Sequence, residues 1–208
     1  MGEHPARTRR RGEELIKAIH DAVLQEVVEA GAGRLTMDAI ARRAATPRTT
    51  LYRRWSDPLD VLLDALYHQH PVEEPTPGAD DLRGDLIRAL RLMADWALSP
   101  AGRAVAAILT DPKSAALMSE ALFERVFANR GGTFTRTVLQ HYADRGRFPA
   151  ELLTPVVADI GEALVTKRLI DTGTPPSEED LSAIVDQAIL PALGLGPCGP
   201  REDREQRT

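Results

Sequence analysis

The sequence predicts an all-α protein, and three observations support that fold class. Hydrophobic residues make up 43% of the 208 residues while aromatic residues make up 4%, so alanine and leucine, which favour helices, supply the core. Apolar residues recur at helical spacing along the chain, and no stretch shows the sustained alternation of a strand. A segment rich in proline, from Pro71 to Gly78, divides the helices into two predicted domains.

Four helices are predicted before that segment. The first ends at Gly31, which suits the left-handed position after a helix, and its apolar face consists of Leu15, Ile16, Ile19, Val23 and Val27. The second is a helix of about two turns, the third runs to about residue 55, and the fourth spans about 58–70. Their capping and proline signals are, in order, Thr36 with Asp38, Thr46 with Pro47, and Asp57 with Pro58.

The rest of the chain predicts further helices up to Gly194. They span about 80–98, 101–110, 114–146, 153–172 and 177–193, and the third of these is expected to break at Gly131-Gly132. The charged residues at the two ends predict disorder, as a basic arm over residues 1–10 and a tail over residues 195–208.

Positive charge is concentrated near the N-terminus although the net charge of the chain is −5. Residues 71–208 hold 15 basic and 21 acidic residues, whereas between residues 34 and 54 Asp38 is the one acid among six arginines: Arg34, Arg42, Arg43, Arg48, Arg53 and Arg54. Local charge decides whether phosphate binds. By itself, the run of arginines fits a solvated helical face as well as a nucleic-acid contact.

The second and third predicted helices have the layout of a helix-turn-helix DNA reader, which joins two short helices by a tight turn and braces them with another helix. Arg48, Thr49, Tyr52 and Arg53 share the outer face of the third helix. Arginine suits guanine, threonine suits a base edge or the thymine methyl group, and the tyrosine hydroxyl suits phosphate. The spacing therefore predicts a face that enters the major groove.

Two runs resemble the DNA-binding domain of TetR-family transcriptional regulators, LTMDAIARRA over 35–44 and RTTLYRRW over 48–55. A Leu-Tyr pair followed three residues later by Trp or Phe is a specific mark of that family. The match covers about residues 11–70, and the helical remainder, which opens with Arg83 to Leu86, is similar to the family's regulatory domains. The resemblance implies a DNA-binding domain over 11–70 and a ligand-binding and dimerisation domain over 79–194.

The resemblance also implies the DNA contacts. Arg48, Thr49 and Tyr52 fall where the family contacts bases and phosphates, and Thr36 falls at a cap that contacts phosphate. The candidate DNA-binding residues are Thr36, Arg48, Thr49, Thr50, Tyr52 and Arg53.

Three residues depart from the family pattern. Ala45 replaces the glycine of the turn, and Pro47 replaces a common serine, so one phosphate contact is expected to be lost. Pro58 stands where the family has a phosphate-binding lysine, which leaves only the free amides of that helix end to take over the contact.

The second domain is expected to hold a small-molecule effector. Soft and aromatic side chains on helices that could converge are the candidates for the pocket, although such residues at helical spacing usually form ordinary core: Met93, Trp96, Met118, Phe123, Phe127, Phe134, His141 and Tyr142.

The last two helices carry apolar residues on more than one side, which predicts a second surface to cover them. In the resembled family these helices form the four-helix bundle of a homodimer, so the candidate interface residues are Val157, Ile160, Gly161, Leu164, Ile184 and Ala188. A twofold dimer would read a palindromic operator with two recognition helices.

Enzyme chemistry is not predicted, because the sequence has no nucleophile elbow, phosphate loop or metal-binding motif. His68 and His70 diverge on a helix, and Cys198 alone forms neither a disulfide nor an all-cysteine site. No catalytic residue, metal or cofactor is expected. With no long apolar run, the chain is expected to be a cytoplasmic protein that does not contact a membrane.

These observations predict a homodimeric DNA-binding regulator, a repressor that a small molecule releases from double-stranded operator DNA. An activator, or a regulator that responds to a partner protein, remains an alternative. A helical enzyme or metabolite-binding protein with a vestigial DNA-binding domain is a more remote one.

Overall fold

A computed structural model of the chain describes residues 6–128 and 133–196, with side chains from residue 12 onward. The all-α prediction is confirmed, and no β-strand occurs within those residues. The helices are α1 (Ala6–Ala30), α2 (Met37–Arg43), α3 (Arg48–Tyr52), α4 (Pro58–Gln69), α5 (Leu82–Leu98), α6 (Pro100–Thr110), α7 (Pro112–Leu122), α8 (Phe134–Ala143), α9 (Pro155–Thr172), α10 (Glu178–Ile184) and α11 (Leu190–Ala192).

Two of these helices continue into single π-helical turns, at Phe123–Phe127 after α7 and at Val185–Ile189 between α10 and α11. Short 3-10 turns occur at Ala32–Arg34 and Ala150–Leu152. A π turn inserts one residue into the helical repeat and therefore shifts which side chains face inward. Periodicity read from the sequence misses such a shift.

The chain divides into two compact units. The first unit contains residues 6–72 and 96–128, and the second contains residues 73–95 and 133–196. The sequence instead predicted a division near residues 71–78 alone. Residues 96–128 join the first unit because α6 packs on α1, where its apolar face enters the same core as that of α1: Ala101, Ala104, Val105 and Ile108.

The core of the first unit is built from the apolar faces of α1, α2, α4, α6 and α7. Its largest fully buried side chains include Ile19, Leu24, Ile40, Leu51 and Leu62. Leu51 anchors the short α3 on this core, so the exposed side of α3 is fixed by one inward residue and by the turns at its ends.

In the second unit, α8 packs on α9, and α9 packs on the π turn at Val185–Ile189. Gly161 of α9 makes that approach possible. A Cβ atom built there would lie 2.9 Å from Leu90 Cδ2 and from Ile189 Cδ1, closer than ordinary contact allows.

Some helix ends differ from the sequence predictions. The helix begins at Ala6, so residues 6–10 of the arm predicted as disordered are helical. Gly31 has the expected positive φ of 85°, but its ψ of 149° is extended rather than left-handed helical. Residues 1–5, the expected break at Gly131-Gly132 and the tail from residue 197 lie outside the described residues.

None of the described helices is long and apolar enough to cross a membrane. Within residues 6–128 and 133–196, no cluster of three or more His, Cys, Asp or Glu side chains is arranged to hold a metal ion.

Candidate nucleic-acid interface

The helix-turn-helix is built by α2, α3 and the turn between them. Thr36 caps α2, and its hydroxyl accepts a hydrogen bond from the Ala39 amide at 3.1 Å, as its position before the helix predicts. Ala45 in the turn has a φ of 49°, the left-handed region that glycine adopts without strain. The turn therefore keeps the conformation of a glycine turn although no glycine is present.

The third helix is shorter than the sequence predicts. Pro47 is the N-cap rather than the first helical residue, and it makes no side-chain capping bond. The helix proper ends at Tyr52, although the Trp55 amide still donates to the Leu51 carbonyl at 3.0 Å. Arg53 therefore lies in the turn after α3 rather than on the helix.

Arg48, Thr49 and Tyr52 are exposed on α3, as predicted, and Tyr52 is 54% exposed. Thr50 is turned away from them. Together with Arg53 it lines a groove of about 310 Å³ against α1. The structure thus divides the candidate DNA-binding residues into an outer face and a flank that faces α1.

The outer face is pre-ordered by contacts of Arg48. One guanidinium nitrogen of Arg48 donates to both carboxylate oxygens of Asp38 on α2, at 2.9 and 3.0 Å. The same guanidinium lies 5.9 Å from the centre of the Tyr52 ring, within range of a cation–π contact. Sequence reasoning missed the Asp38 pairing because it joins two helices.

The arginines near this face are not equivalent. Arg43 donates to Glu26 and Glu29 of α1, at 2.7 and 2.5 Å, and holds the pKa of Glu29 below its usual value. It therefore braces α2 on α1. Arg42, Arg53 and Arg54 form no ion pair with another described residue. They are exposed and supply the positive charge of the region.

Trp55 fixes the end of the motif to α1 and α4. Its indole nitrogen donates to Asp64 Oδ2 at 3.0 Å, and His20 Nε2 lies 3.1 Å from the same oxygen. Burial lowers the pKa of His20, so the ring is neutral at pH 7 and donates this hydrogen bond. Neither His20 nor Asp64 was singled out from the sequence, since they are distant in the chain.

The junction between α3 and α4 carries a second set of contacts. Asp57 caps α4 by accepting from the Asp60 amide at 2.9 Å, and Pro58 occupies the first turn, both as predicted. Asp60 in turn accepts hydrogen bonds from the Ser56 amide and hydroxyl and, at 2.9 Å, from Arg125. Arg125 belongs to the π turn after α7, so this turn is tied to the start of α4.

The pocket candidates of the first unit partly converge. The Trp96 and Phe127 rings lie 6.4 Å apart, and each lies 5.2 Å from the His70 ring. Met118 is buried in the same core. Phe123 is 48% exposed, because the π turn directs Val126 inward instead. Phe123 is therefore not available to line an enclosed pocket.

The pocket candidates of the second unit are Met93, Phe134, His141 and Tyr142, and all but His141 are buried. The Tyr142 hydroxyl contacts Asp85 Oδ2 at 2.7 Å, the Asp81 amide at 3.0 Å and the Thr76 hydroxyl at 3.0 Å. These bonds use the hydroxyl fully, so Tyr142 holds residues 76–85 in place rather than offering a free polar group to a ligand.

His141 also contacts that segment. Its Nε2 lies 2.9 Å from the Thr76 carbonyl, to which it donates, and its Nδ1 accepts from Arg145 at 3.1 Å. His141 is thus a second structural contact to residue 76. Whether the eight candidates line one effector pocket stays a prediction.

The candidate dimer residues divide into two groups. Gly161 and Ile184 are buried within the second unit of their own chain. Val157, Ile160 and Ala188 are half-buried, and Leu164 is 38% exposed. On the side of α9 away from the buried Gly161, Val156 and Ile170 are each exposed by more than 70%. This helix is therefore apolar on both its inner and its outer side.

A capped two-helix motif with an exposed basic and polar recognition face defines a DNA-binding protein of the helix-turn-helix class. Residues 19–64 match the model of bacterial regulatory proteins of the tetR family, and residues 76–188 match that of tetracyclin repressor-like C-terminal domains. The chain belongs to the TetR family and is a transcriptional regulator, as its sequence motifs predicted.

Three relatives illustrate the similarity. An uncharacterized HTH-type transcriptional regulator of Mycobacterium tuberculosis is 27% identical over 170 residues, which cover 82% of this chain and 83% of the relative. The DNA-binding transcriptional repressor TetR of Mycobacteroides abscessus is 26% identical over 187 residues, 89% of this chain and 97% of the relative. The HTH-type regulator AqdR of Rhodococcus erythropolis is 30% identical over 95 residues, 46% of each chain.

Proposed function

We propose that the protein is a homodimeric repressor that binds a palindromic operator and leaves it when a small molecule binds the second domain. The observation that carries the proposal is the outer face of α3, where Arg48, Thr49 and Tyr52 are exposed. Arg48 is well suited to guanine and Tyr52 to phosphate. The name of the Mycobacteroides abscessus relative, a DNA-binding transcriptional repressor, supports the repressor role.

The release mechanism is a coupling between two states. An effector that binds one arrangement more tightly than the other shifts the population toward the tighter-binding arrangement. The size of the shift depends only on the difference between the two affinities. The Asp60–Arg125 contact supports a route, because it joins the first turn of α4 to the π turn after α7 within one unit. In this proposal α4 tilts when the effector binds, and the recognition helices lose the spacing that the operator requires.

The test of operator binding is fluorescence anisotropy on duplex DNA from upstream of the protein's own gene, titrated with salt. Arg48→Ala should weaken binding about tenfold or more, because a good base contact is worth about 1–3 kcal/mol. Tyr52→Ala should also weaken binding, because it removes a phosphate contact. Arg103→Ala is the matched control: it removes one exposed arginine of α6, so it should leave operator affinity nearly unchanged.

Wild-type binding no tighter than to random duplex DNA would contradict the proposal for that operator. Equal losses in Arg48→Ala and in the control would show that net charge, rather than this face, determines binding. In a reporter strain, deletion of the gene should raise expression from the operator; a fall would indicate an activator.

A further inference from the structure

Glu73 is a buried acid, and the function as a regulator does not explain why it is buried. It lies in the second unit, before α5, and is only 7% exposed. Neither of its carboxylate oxygens has a hydrogen-bond partner of normal geometry. A buried carboxylate without a partner is unfavourable in the charged form. Proteins retain such groups where a partner arrives from outside or where a proton neutralises them.

A second acid lies close by. Glu162 of α9 accepts hydrogen bonds through Oε1 from the Thr135 amide at 3.3 Å and from its hydroxyl at 3.2 Å. The Thr135 hydroxyl is also 2.8 Å from the Ala158 carbonyl. Glu162 is therefore oriented by the first turn of α8. The hydroxyl of Thr137, on the same helix, favours the ionised form of Glu73.

The charges around the two acids are negative. Burial, together with the smaller effect of the nearby Glu162, raises the pKa of Glu73 to about 7, against the opposing effects of its own backbone amide and of Thr137. Burial also raises the pKa of Glu162, with Asp159 adding to the shift against the threonine hydrogen bonds. Among the ion pairs of the described residues, none involves Glu73 or Glu162.

We propose that Glu73 and Glu162 bind the positively charged nitrogen of a small organic cation, a protonated amine or guanidinium, as the effector of this regulator. The inference rests on the proposed release by a small molecule. Carboxylates and threonine hydroxyls accept hydrogen bonds from N–H donors, and bonds between charged groups are the stronger ones. The described residues supply no third ligand for a metal ion, which favours an organic cation.

The segment that carries Glu73 has surface residues on both sides of it. Val72 and Glu74, on either side of Glu73, are both exposed. In the proposed site, a rearrangement of this surface segment admits the ligand.

The test uses the full-length protein and three probes of similar shape: phenethylammonium, neutral 2-phenylethanol and anionic 3-phenylpropionate. Thermal shift and titration calorimetry should detect binding of the cation alone. Glu73→Gln and Glu162→Gln should each weaken cation binding about tenfold or more, because each keeps the shape and removes one charge. Glu151→Gln, an exposed acid of the same unit, is the matched control and should bind as the wild type does.

The pH dependence is a second readout. Because the cation requires ionised Glu73, whose pKa is about 7, binding should be about tenfold weaker at pH 6 than at pH 8. Equal binding of the cation and the alcohol, or unchanged cation binding in both Gln variants, would overturn the inference.

Operator affinity measured on the same samples separates the two proposals. Operator binding without cation binding would reject the amine site and keep the repressor. Absence of operator binding would reject the repressor, whatever the probes do.

Discussion

Arg48 is held in position by contacts within the protein. Its bonds to Asp38 and its contact with the Tyr52 ring keep the guanidinium on the outer face of α3. Both members of the ion pair are more than half exposed, and exposed pairs contribute only about 0–1 kcal/mol. In the proposed complex with DNA, Arg48 would therefore leave Asp38 for a guanine or a phosphate at little cost, and its ordered side chain would lose less entropy on binding.

Ala45 carries the strain of the turn between α2 and α3. A left-handed alanine costs about 1–2 kcal/mol, and glycine removes this strain but loses about 0.5–1 kcal/mol through the unfolded chain. Ala45→Gly should therefore raise the free energy of unfolding by about 0.5 kcal/mol, measured by urea denaturation. Ala44→Gly is the control: its φ of −76° suits alanine, so the change should destabilise. Equal destabilisation by both changes would contradict the argument.

Glu73 should make stability depend on pH with a definite sign. Burial and the charge of Glu162 raise its folded-state pKa from 4.5 to about 7, so the folded state keeps this proton where the unfolded chain has lost it. The free energy of unfolding should fall as pH rises from about 4.5 to 7. The full contribution is on the order of 3 kcal/mol, at about 1.36 kcal/mol for each unit of pKa.

The measurement is urea denaturation of wild type and Glu73→Gln between pH 4 and 8. The variant cannot ionise, so its advantage over wild type should grow across this range. Parallel stability curves would show that Glu73 titrates at its ordinary pKa.

At the scale of elements, the α3–α4 junction depends on Asp60, which accepts from Ser56 and from Arg125 at once. Because the Arg125 side chain is 50% exposed, solvent screens the pair, and Arg125→Ala should lower the free energy of unfolding by only about 0.5 kcal/mol. Asp60→Ala removes the acceptor of Ser56 as well, so it should cost about 1–2 kcal/mol. A double-mutant cycle by urea denaturation measures the coupling, and zero coupling energy would contradict a direct contact.

A substitution at this junction should also change operator affinity, although the substituted residue does not contact DNA in the proposed complex. In anisotropy, Arg125→Ala should weaken operator binding and leave binding to random DNA unchanged. Equal loss on both DNAs would indicate a general phosphate contact of Arg125 instead.

At the scale of the whole molecule, the outer face of α9 is the surface we expect to form the homodimer. Leu164→Glu places a charge on this apolar face and should convert the dimer to a monomer in sedimentation experiments. Leu117→Glu is the matched control. It makes the same chemical change at an exposed leucine of α7, in the first unit. A Leu164→Glu protein that remains dimeric would place the interface elsewhere.

The sequence alone was sufficient to predict the helices, the caps at Thr36 and Asp57, the exposed face of α3 and the family. These features depend on residues within about four positions of one another, where spacing and capping chemistry are readable. It also located the special turn residue Ala45, although its positive φ appears only in the structure.

The pairing of polar groups and the covering of apolar faces became visible only in the folded structure. Arg43 turned out to brace α1, Tyr142 to hold the segment before α5, and Gly161 to lie inside its own unit. The structure also showed that the Glu73 carboxylate is buried without a hydrogen bond of normal geometry. Each depends on residues far apart in the chain, and periodicity gives the face of a helix but not its neighbour.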